Sequence, residues 1–332
     1  MSEQESPQKI HNLIECIVEA GQKNLFSFAR MAGFDPLVDF VGMGLSHAPG
    51  GKVDFREVDW GSINLSRANL DRLCLMEANL RGADLTGASA IGANLMFVAL
   101  GNACLAGADL SGADLSGADL AQADLSEANL RGSNLCFAML GGANLHQANL
   151  SQADLSRALF REAAVDDTTV LDDKWRLVWE ILTFGARSRD LSRIDLSFAS
   201  LEQANLWGAS LSRANLSGAD LSRADLRGSD LSEADLRGAE LQQTALRGAL
   251  LKNVLLSEAD LSDADLSRTI LSNANLAAAN LTGANLSGSD LRGADLTGTD
   301  LSQSTVEKAG FGSNAGLSEA VKADLETRGA VF

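Results

Sequence analysis

Hydrophobic and polar residues recur with a period of five along most of the chain. Between Ala108 and Leu130, each leucine at 110, 115, 120, 125 and 130 is preceded directly by Asp or Asn and two places earlier by Ala. A period of five fits neither a helical turn of 3.6 residues nor the strict alternation of a long strand. In a short extended piece, however, Ala and Leu point to one side and the polar residue between them to the other.

Each repeat therefore has five positions, which we call inward (usually Ala), outward (usually Asp or Asn), central (usually Leu), first corner and second corner. The corner pairs are commonly Ser-Gly, Ser-Arg or Arg-Gly, which favour turns. Extended sides and corners repeated in one sense build a solenoid that buries its inward and central residues. With four sides to a coil, residues twenty apart stack at a rise of about 4.8 Å.

The Ala-(Asp/Asn)-Leu-X-X pattern resembles the pentapeptide repeat family, over roughly three quarters of the chain. The resemblance implies an all-β solenoid, a right-handed quadrilateral β-helix, arranged here in two blocks with N-terminal, central and C-terminal α-helical segments. The string KWRLVWEI and the C-terminal tail resemble cyanobacterial members of the family. Function is less constrained, because proteins with unrelated roles share this building unit.

Interruptions of the repeat divide the chain into segments. We predict a helical N-terminal cap at 1–52, a first repeat block at 53–165, an interrupting helix or linker at 166–188, a second block at 189–311 with its centres shifted by one residue, and a C-terminal capping helix at 312–332. Caps are expected because an open solenoid end exposes unpaired backbone groups. The interrupting helix is apolar on several sides, which predicts that it is mostly buried.

Composition limits the classes of protein. The 332 residues carry a net charge of −17, with 45% hydrophobic but only 5% aromatic residues, which indicates a core of Leu and Ala. The acidic excess argues against direct nucleic-acid binding. The start of the chain does not resemble a signal peptide and no long apolar run is present, so we expect no membrane association and a cytoplasmic location.

The His, Cys and carboxylate residues do not occur at spacings typical of catalytic or metal-binding sites. The histidines His11, His47 and His146 have no partner by spacing, and the recurring carboxylates are explained by the outward position. Four cysteines, at 16, 74, 104 and 136, lack metal-ligand spacing and are interpreted as reduced thiols. We therefore predict no enzyme activity, no cofactor and no metal.

Apolar residues at positions that should face outward are candidates for partner binding. They are Met96, Phe97, Cys136, Phe137, Met139 and Leu159 in the first block, and Leu250 and Ile270, with Leu255 nearby, in the second. Coverage by the interrupting or N-terminal helix is favoured over a partner or dimer surface for the first group.

Two columns of the second block also depart from the usual outward or corner pattern. Trp207, Arg227 and Arg247 share one column, either as a cation–π contact or, as favoured, a plain surface ladder. The other is the acidic column, Asp220, Glu240, Asp260 and Asp300, interrupted by Asn280. It is either a recognition face or, as favoured, a solvated one, and its stacked like charges should cost stability.

The leading functional hypothesis is a non-enzymatic scaffold or regulatory protein that binds an unidentified protein partner through its walls or terminal helices, with a homodimer possible. The alternative is a DNA-mimicking protein acting on a type II topoisomerase (gyrase), which the family resemblance implies for some members and which the net charge permits. An enzyme or ligand module within residues 1–50 is disfavoured, because so short a segment cannot hold a substantial pocket.

Overall fold

The computed structural model describes residues 29–30, 35, 37, 40–45 and 55–332. The predicted N-terminal helix with His11 and Cys16 lies outside the described residues, as does His47 in the predicted pre-repeat loop. The chain divides into two compact units, Met1–Trp175 and Arg176–Phe332. Both ends are defined for two helices, α1 at Asp173–Phe184 and α2 at Glu319–Thr327. The boundary between the units therefore falls within α1.

Parallel bridges join outward residues twenty positions apart in both units. In the first unit they run from Asp59↔Asn79 to Asn144↔Ala164, and in the second from Asp190↔Ser210 to Asp290↔Gly310. Twenty residues make four five-residue sides per coil. Each side contributes only one bridging residue. The described part of the chain therefore contains isolated bridges and no strand of several residues.

One extra residue enters the last coil of the first unit. Asn149 pairs with Val170, twenty-one positions on, instead of twenty. The bridges of the second unit accordingly fall on 190, 195 and 200, one residue away from the earlier register. This is the shift that the sequence predicts between the two sets of centres.

Columns of Leu and Ala fill the interior of each unit, as at Ala108 and Leu110, both 2% exposed. At the start of the repeats, the wider Trp60 packs edge-on against Phe55 and Phe40, with ring centroids 5.2 and 6.3 Å away. Where a hydroxyl replaces the inward Ala, it is hydrogen-bonded: Ser133 Oγ donates to the carbonyl of Leu130 at 2.8 Å. Buried polar groups of this kind keep their partners without disturbing the coil.

All five backbone N–H groups of a typical repeat have acceptors. In the repeat 113–117, the inward, outward, central and second corner N–H groups donate to backbone carbonyls at 2.7 to 3.1 Å. The first corner N–H, that of Ser116, donates instead to Oδ1 of Asp114 at 3.1 Å. In the same way, the N–H of Ser66 donates to Asn64 Oδ1 and the N–H of Ser262 donates to Asp260 Oδ1. The outward Asp or Asn thus completes the hydrogen bonding of the backbone.

The corners have the features of type II turns. The N–H of the next inward residue donates to the central carbonyl, as from Ala123 to Leu120 at 3.1 Å. The second corner residue has a positive φ, 60° at Gln122 and 63° at Gly132, which is the left-handed region that glycine tolerates best. Many corners nevertheless carry larger residues there, because the stacked coils fix the backbone.

Helix α1 is buried on one stripe only. Trp175, Val178 and Ile181 are at most 6% exposed, whereas Phe184 is 75% exposed and packs edge-on against Trp179. The prediction that this helix is mostly buried is therefore wrong for its C-terminal end. Apolar residues on several sides of the helix therefore do not mean complete burial, since Trp179 is half-buried and Phe184 is exposed.

Helix α2 closes the end of the second unit. Ser318 Oγ accepts from the N–H of Val321 at 3.3 Å, and Leu325 is buried. Arg328, directly after α2, donates from Nη1 to the carbonyls of Leu301 and Ser304 at 3.1 and 3.2 Å. The bond to Ser304 satisfies an inward carbonyl that the next coil would otherwise pair, whereas the carbonyl of Leu301 also accepts from Ser304 within its own turn.

The turn geometry predicts opposite effects for two glycines. Gly132→Ala should lower the free energy of unfolding by about 1 kcal/mol, because left-handed backbone is unfavourable for a residue with a Cβ. No atom lies within 4 Å of the added Cβ, so the effect comes from the backbone alone. Chemical denaturation followed by circular dichroism measures it.

The matched control is Gly141→Ala at a first corner position. Its φ is not left-handed, and the nearest atom to an added Cβ is a carbonyl oxygen 3.9 Å away. We expect no loss or a small gain in stability, since the unfolded chain loses freedom. Equal destabilisation by both variants would contradict the turn assignment.

Candidate interaction surfaces

One wall of the first unit is apolar where the repeat is otherwise polar. This first-unit wall consists of Phe97 and Phe137, second corner residues two coils apart, and Met139 and Leu159, outward residues joined by a parallel bridge. Their exposed fractions are 57%, 65%, 42% and 45%. The corner of the phenylalanines directly precedes the side that carries Met139 and Leu159, so all four share one surface.

A glycine lets the Phe97 ring lie against the coil. A Cβ on Gly117 would be 2.4 Å from Phe97 Cδ1, so the ring occupies the space above this glycine. Phe198 of the second unit lies in the same way over Gly218, at 2.5 Å from the corresponding Cβ position. Each ring thus has one face against the next coil, and more than half of its surface stays exposed.

Coverage by the interrupting helix is not observed, because Phe97 and Phe137 both remain more than half exposed among the described residues. The predicted N-terminal helix, the other candidate cover, lies outside the described residues. Met96 and Cys136, at the preceding corner position, are half-buried between neighbouring coils. No residue within 55–332 covers this surface.

Apolar outward residues also leave a backbone donor without its usual acceptor. After Met139, Leu250 and Ile270, the first corner N–H groups of 141, 252 and 272 have no hydrogen-bond acceptor within residues 55–332. In ordinary repeats this N–H donates to the outward Asp or Asn. The apolar surfaces thus combine exposed hydrophobic side chains with free backbone donors. Sequence reasoning found the side chains and missed the donors.

The second unit brings Leu250 and Ile270 together as predicted neighbours. A parallel bridge joins them, and they are 41% and 40% exposed. Leu255 lies on the adjacent side and is 37% exposed. The surface around Leu250 and Ile270 is small and edged by polar corners.

The residues of the acidic column stack as predicted, and Asp260 among them is hydrogen-bonded to neighbouring residues. Bridges connect Asp220, Glu240, Asp260, Asn280 and Asp300 in sequence. Asp260 accepts from the N–H of Ser262 and from Asn280 Nδ2, both at 3.0 Å, and from Gln242 Nε2 at 2.8 Å. Burial raises the pKa of Asp260, but these hydrogen bonds outweigh it and hold the pKa below the usual 3.8. The side-chain donors offset the expected repulsion.

Trp207 forms a cation–π contact, with a partner that the sequence missed. The Arg187 guanidinium lies 4.0 Å from the Trp207 ring centroid. Arg227 instead makes paired bonds to Asp225 at 2.8 and 2.6 Å. Ala186 is buried in a central position, so Arg187 already belongs to a repeat corner. The cation–π contact is therefore made with a residue outside the predicted column, because the repeats resume one unit before Leu191.

His146 also has a partner, contrary to the prediction. Its Nδ1 lies 2.7 Å from Asp166 Oδ2, and both side chains are substantially exposed. Asp166 Oδ1 accepts from the N–H and Oγ1 of Thr168 at 3.0 and 2.6 Å. The bonds from Thr168 and His146 hold the pKa of Asp166 well below its usual value. Asp166 follows His146 by twenty residues, one regular coil, but it lies just past the predicted end of the first block at 165, so spacing within the block did not include it.

The remaining candidate features are the cysteines, possible metal ligands and possible membrane-spanning helices among the described residues. The cysteines at 74, 104 and 136 are free, and burial together with Asp154 raises the pKa of Cys136 to about 11. No cluster of His, Cys, Asp or Glu suited to a metal ion occurs among these residues. No helix among them has the length and apolar character needed to cross a membrane.

The bonds to Asp260 predict a pH-dependent effect of Asp260→Asn. At pH 7 the variant should lose about 1 kcal/mol of unfolding free energy, because a charged acceptor is removed. A lowered folded-state pKa stabilises the fold above about pH 4, and this contribution disappears as the pH falls. The difference between variant and wild type should therefore shrink on acidification towards about pH 2.

Denaturation curves at several pH values measure this difference. Asp263→Asn is the control, because this carboxylate stands on an exposed corner three residues further on. We expect the control to change stability little at any pH. A constant difference between Asp260→Asn and wild type across the pH range would show that the hydrogen bonds do not favour the ionised carboxylate.

The similarity of this chain to a known protein family lies in its repeats. Eight overlapping segments match the sequence model described as pentapeptide repeats; together they cover 52–164 and 190–307, well over half of the chain. A search of the curated proteins gives no significant match.

Solved structures that are similar to this chain include the following three proteins. HetL, a pentapeptide repeat protein involved in heterocyst differentiation regulation from the cyanobacterium Nostoc sp. strain PCC 7120, is 29% identical, with 78% of this chain and 91% of that chain covered and a TM-score of 0.23. Rfr23 from the cyanobacterium Cyanothece 51142 is 29% identical, with coverages of 40% and 90% and a TM-score of 0.24. QnrB1, a plasmid-mediated fluoroquinolone resistance protein, is 16% identical, with coverages of 72% and 96% and a TM-score of 0.28.

The match to the repeat sequence carries the assignment. Pentapeptide repeat proteins fold as right-handed quadrilateral β-helices. The twenty-residue spacing of the bridges agrees with four five-residue sides. The chain therefore belongs to the pentapeptide repeat family.

Proposed function

We propose that this protein is a non-enzymatic scaffold or regulatory protein that binds a protein partner through the walls of its repeat units. The first-unit wall is the main contact surface in this proposal. Polar outward residues cover most of the repeat surface, so a local group of exposed Phe, Met and Leu side chains is a strong departure. Such groups usually mark contacts between proteins.

The observation that carries the proposal is the position of the two phenylalanines. Phe97 and Phe137 stand on the same corner, two coils apart, and are the most exposed members of the wall. Exposed aromatic side chains supply large contact area for little loss of conformational freedom. Met139 and Leu159 extend the apolar surface beside them. A rigid corner thus presents anchors at a fixed spacing.

The DNA-mimic alternative receives less support from the geometry. Such a protein needs carboxylates that are free to stand in for phosphates. In the acidic column, Asp260 accepts three hydrogen bonds from its neighbours, and Asn280 interrupts the row of charges. The net charge of −17 remains compatible with the alternative, and a gyrase supercoiling assay separates the two functions.

Affinity capture from a lysate of the source organism tests the main proposal. Wild-type protein and Phe97→Ser/Phe137→Ser are used as parallel baits. We expect the double variant to lose partners that the wild type retains, with at least a tenfold drop in recovery, because truncating buried aromatic anchors typically costs more than 1 kcal/mol each. Both side chains are mostly exposed in the free protein, so folding should be preserved.

Phe198→Ser is the matched control. Phe198 occupies the same corner position, covers Gly218 as Phe97 covers Gly117, and is 52% exposed, but it lies in the second unit. The control should retain the partners that the double variant loses. Identical partner sets for all three baits would refute the role of the first-unit wall.

A further inference from the structure

A second surface combines apolar residues with positive charge. This second-unit wall consists of Leu250 and Ile270 on one side, with Arg247, Lys252 and Arg268 on the adjoining corners. Arg247 and Lys252 are the first corner residues before and after Leu250, and Arg268 is the second corner residue before Ile270. All five side chains are exposed.

None of the three cations of this wall forms a salt bridge with another residue within 55–332. Lys252 does interact electrostatically with Glu233, whose pKa it helps to lower. Most nearby arginines of the unit do form salt bridges, in the pairs Arg213–Glu233, Arg227–Asp225, Arg237–Asp235 and Arg292–Asp290. In a chain of net charge −17, three unpaired cations around two apolar side chains form a local positive surface.

The corner beside Leu250 carries no acidic residue over five consecutive coils. Its residue pairs are Arg187-Ser188, Trp207-Gly208, Arg227-Gly228, Arg247-Gly248 and Ser267-Arg268. A Cβ added at Gly228 or Gly248 would meet no atom within 4 Å. Open space therefore runs along the arginine side chains, and another chain can approach the backbone closely there.

Backbone N–H groups at this wall also favour an anionic ligand. The N–H groups of Lys252 and Ser272 lack the acceptor that an outward Asp would supply, because Leu250 and Ile270 occupy the outward position. The N–H of Arg247 lacks one for the same reason, since Ala245 precedes its corner. At 247 and 252, one residue thus offers both a free N–H and a cationic side chain. A carboxylate is the group that satisfies both.

We propose that the second-unit wall binds an acidic peptide segment of a partner protein. Carboxylates of the peptide take the place that the outward Asp Oδ1 fills in other repeats, and its apolar side chains cover Leu250 and Ile270. This inference rests on the proposed function in that the protein acts by binding proteins. It adds the chemistry of a partner and a separate surface.

Charge favours a peptide over a nucleic acid as the occupant. A net charge of −17 repels a long polyanion, whereas a short peptide with a few carboxylates meets mainly the local cations. A phosphodiester backbone also offers no apolar side chain for Leu250 and Ile270.

Fluorescence anisotropy with the full-length protein tests the inference. The probe is a labelled peptide of alternating Glu and Leu, about ten residues long, compared with peptides alternating Gln and Leu or Glu and Ser and with an oligothymidylate of similar length. We expect the Glu-Leu peptide to bind at least tenfold more tightly than the other three, with a Kd below about 1 mM. Its affinity should fall with added salt, because exposed charges are screened.

Leu250→Asp/Ile270→Asp is the decisive variant, because it restores the usual outward residue, and circular dichroism checks that it folds although Asp230 and Asp290 stack on the new carboxylates. We expect it to weaken binding of the Glu-Leu peptide at least tenfold, since it removes the apolar contact and supplies acceptors to the free N–H groups. Met139→Asp/Leu159→Asp is the matched control. It makes the same kind of change on the first-unit wall and should leave peptide binding unchanged.

Three results would overturn the inference: no binding of the Glu-Leu peptide, equal binding of the Gln-Leu peptide or the oligothymidylate, or unchanged binding by Leu250→Asp/Ile270→Asp. The designed peptide does not depend on the natural partner of the first-unit wall. Failure here therefore leaves the proposed function standing, and failure of the capture experiment leaves this site standing.

Discussion

The first corner N–H of each repeat sets the central constraint on this structure. Four of the five N–H groups of the repeat 113–117 pair with backbone carbonyls, but the fifth needs a side-chain acceptor. Outward Asp and Asn supply it through Oδ1, which explains why these two residues recur there instead of any polar residue. The acidity of the chain follows in part from this need. Charge is thus partly a consequence of backbone hydrogen bonding.

The same constraint gives meaning to repeats that lack the acceptor. Where Met139, Leu250 or Ile270 occupies the outward position, the coil loses a hydrogen bond and exposes an apolar side chain. An exposed N–H beside a hydrophobic residue is a surface with both a donor and an apolar contact. On the first unit it lies beside two phenylalanines, and on the second beside three unpaired cations. The two walls therefore suit different partners.

The sequence predicts the parts of the structure that follow from periodicity. The twenty-residue stacking, the shift of one residue after the interruption and the neighbour pair Leu250 and Ile270 all agree with the bridges. Two contacts at the ends of the predicted repeat blocks are not predicted from the sequence. Asp166 stacks one regular coil after His146 but lies past the predicted block end at 165, and a repeat without a central Leu, at Ala186, places Arg187 on Trp207. Burial of α1 was overestimated, because composition alone does not show that Phe184 is exposed.

Residue-level amide hydrogen exchange tests the role of the outward acceptor most directly. The N–H of Ser116, bonded to Asp114, should exchange slowly, whereas those of Gly141 and Lys252 should exchange at rates near those of an unstructured peptide. All three occupy the same position of the repeat, so position alone cannot produce the difference. Equal protection of the three amides would contradict the account.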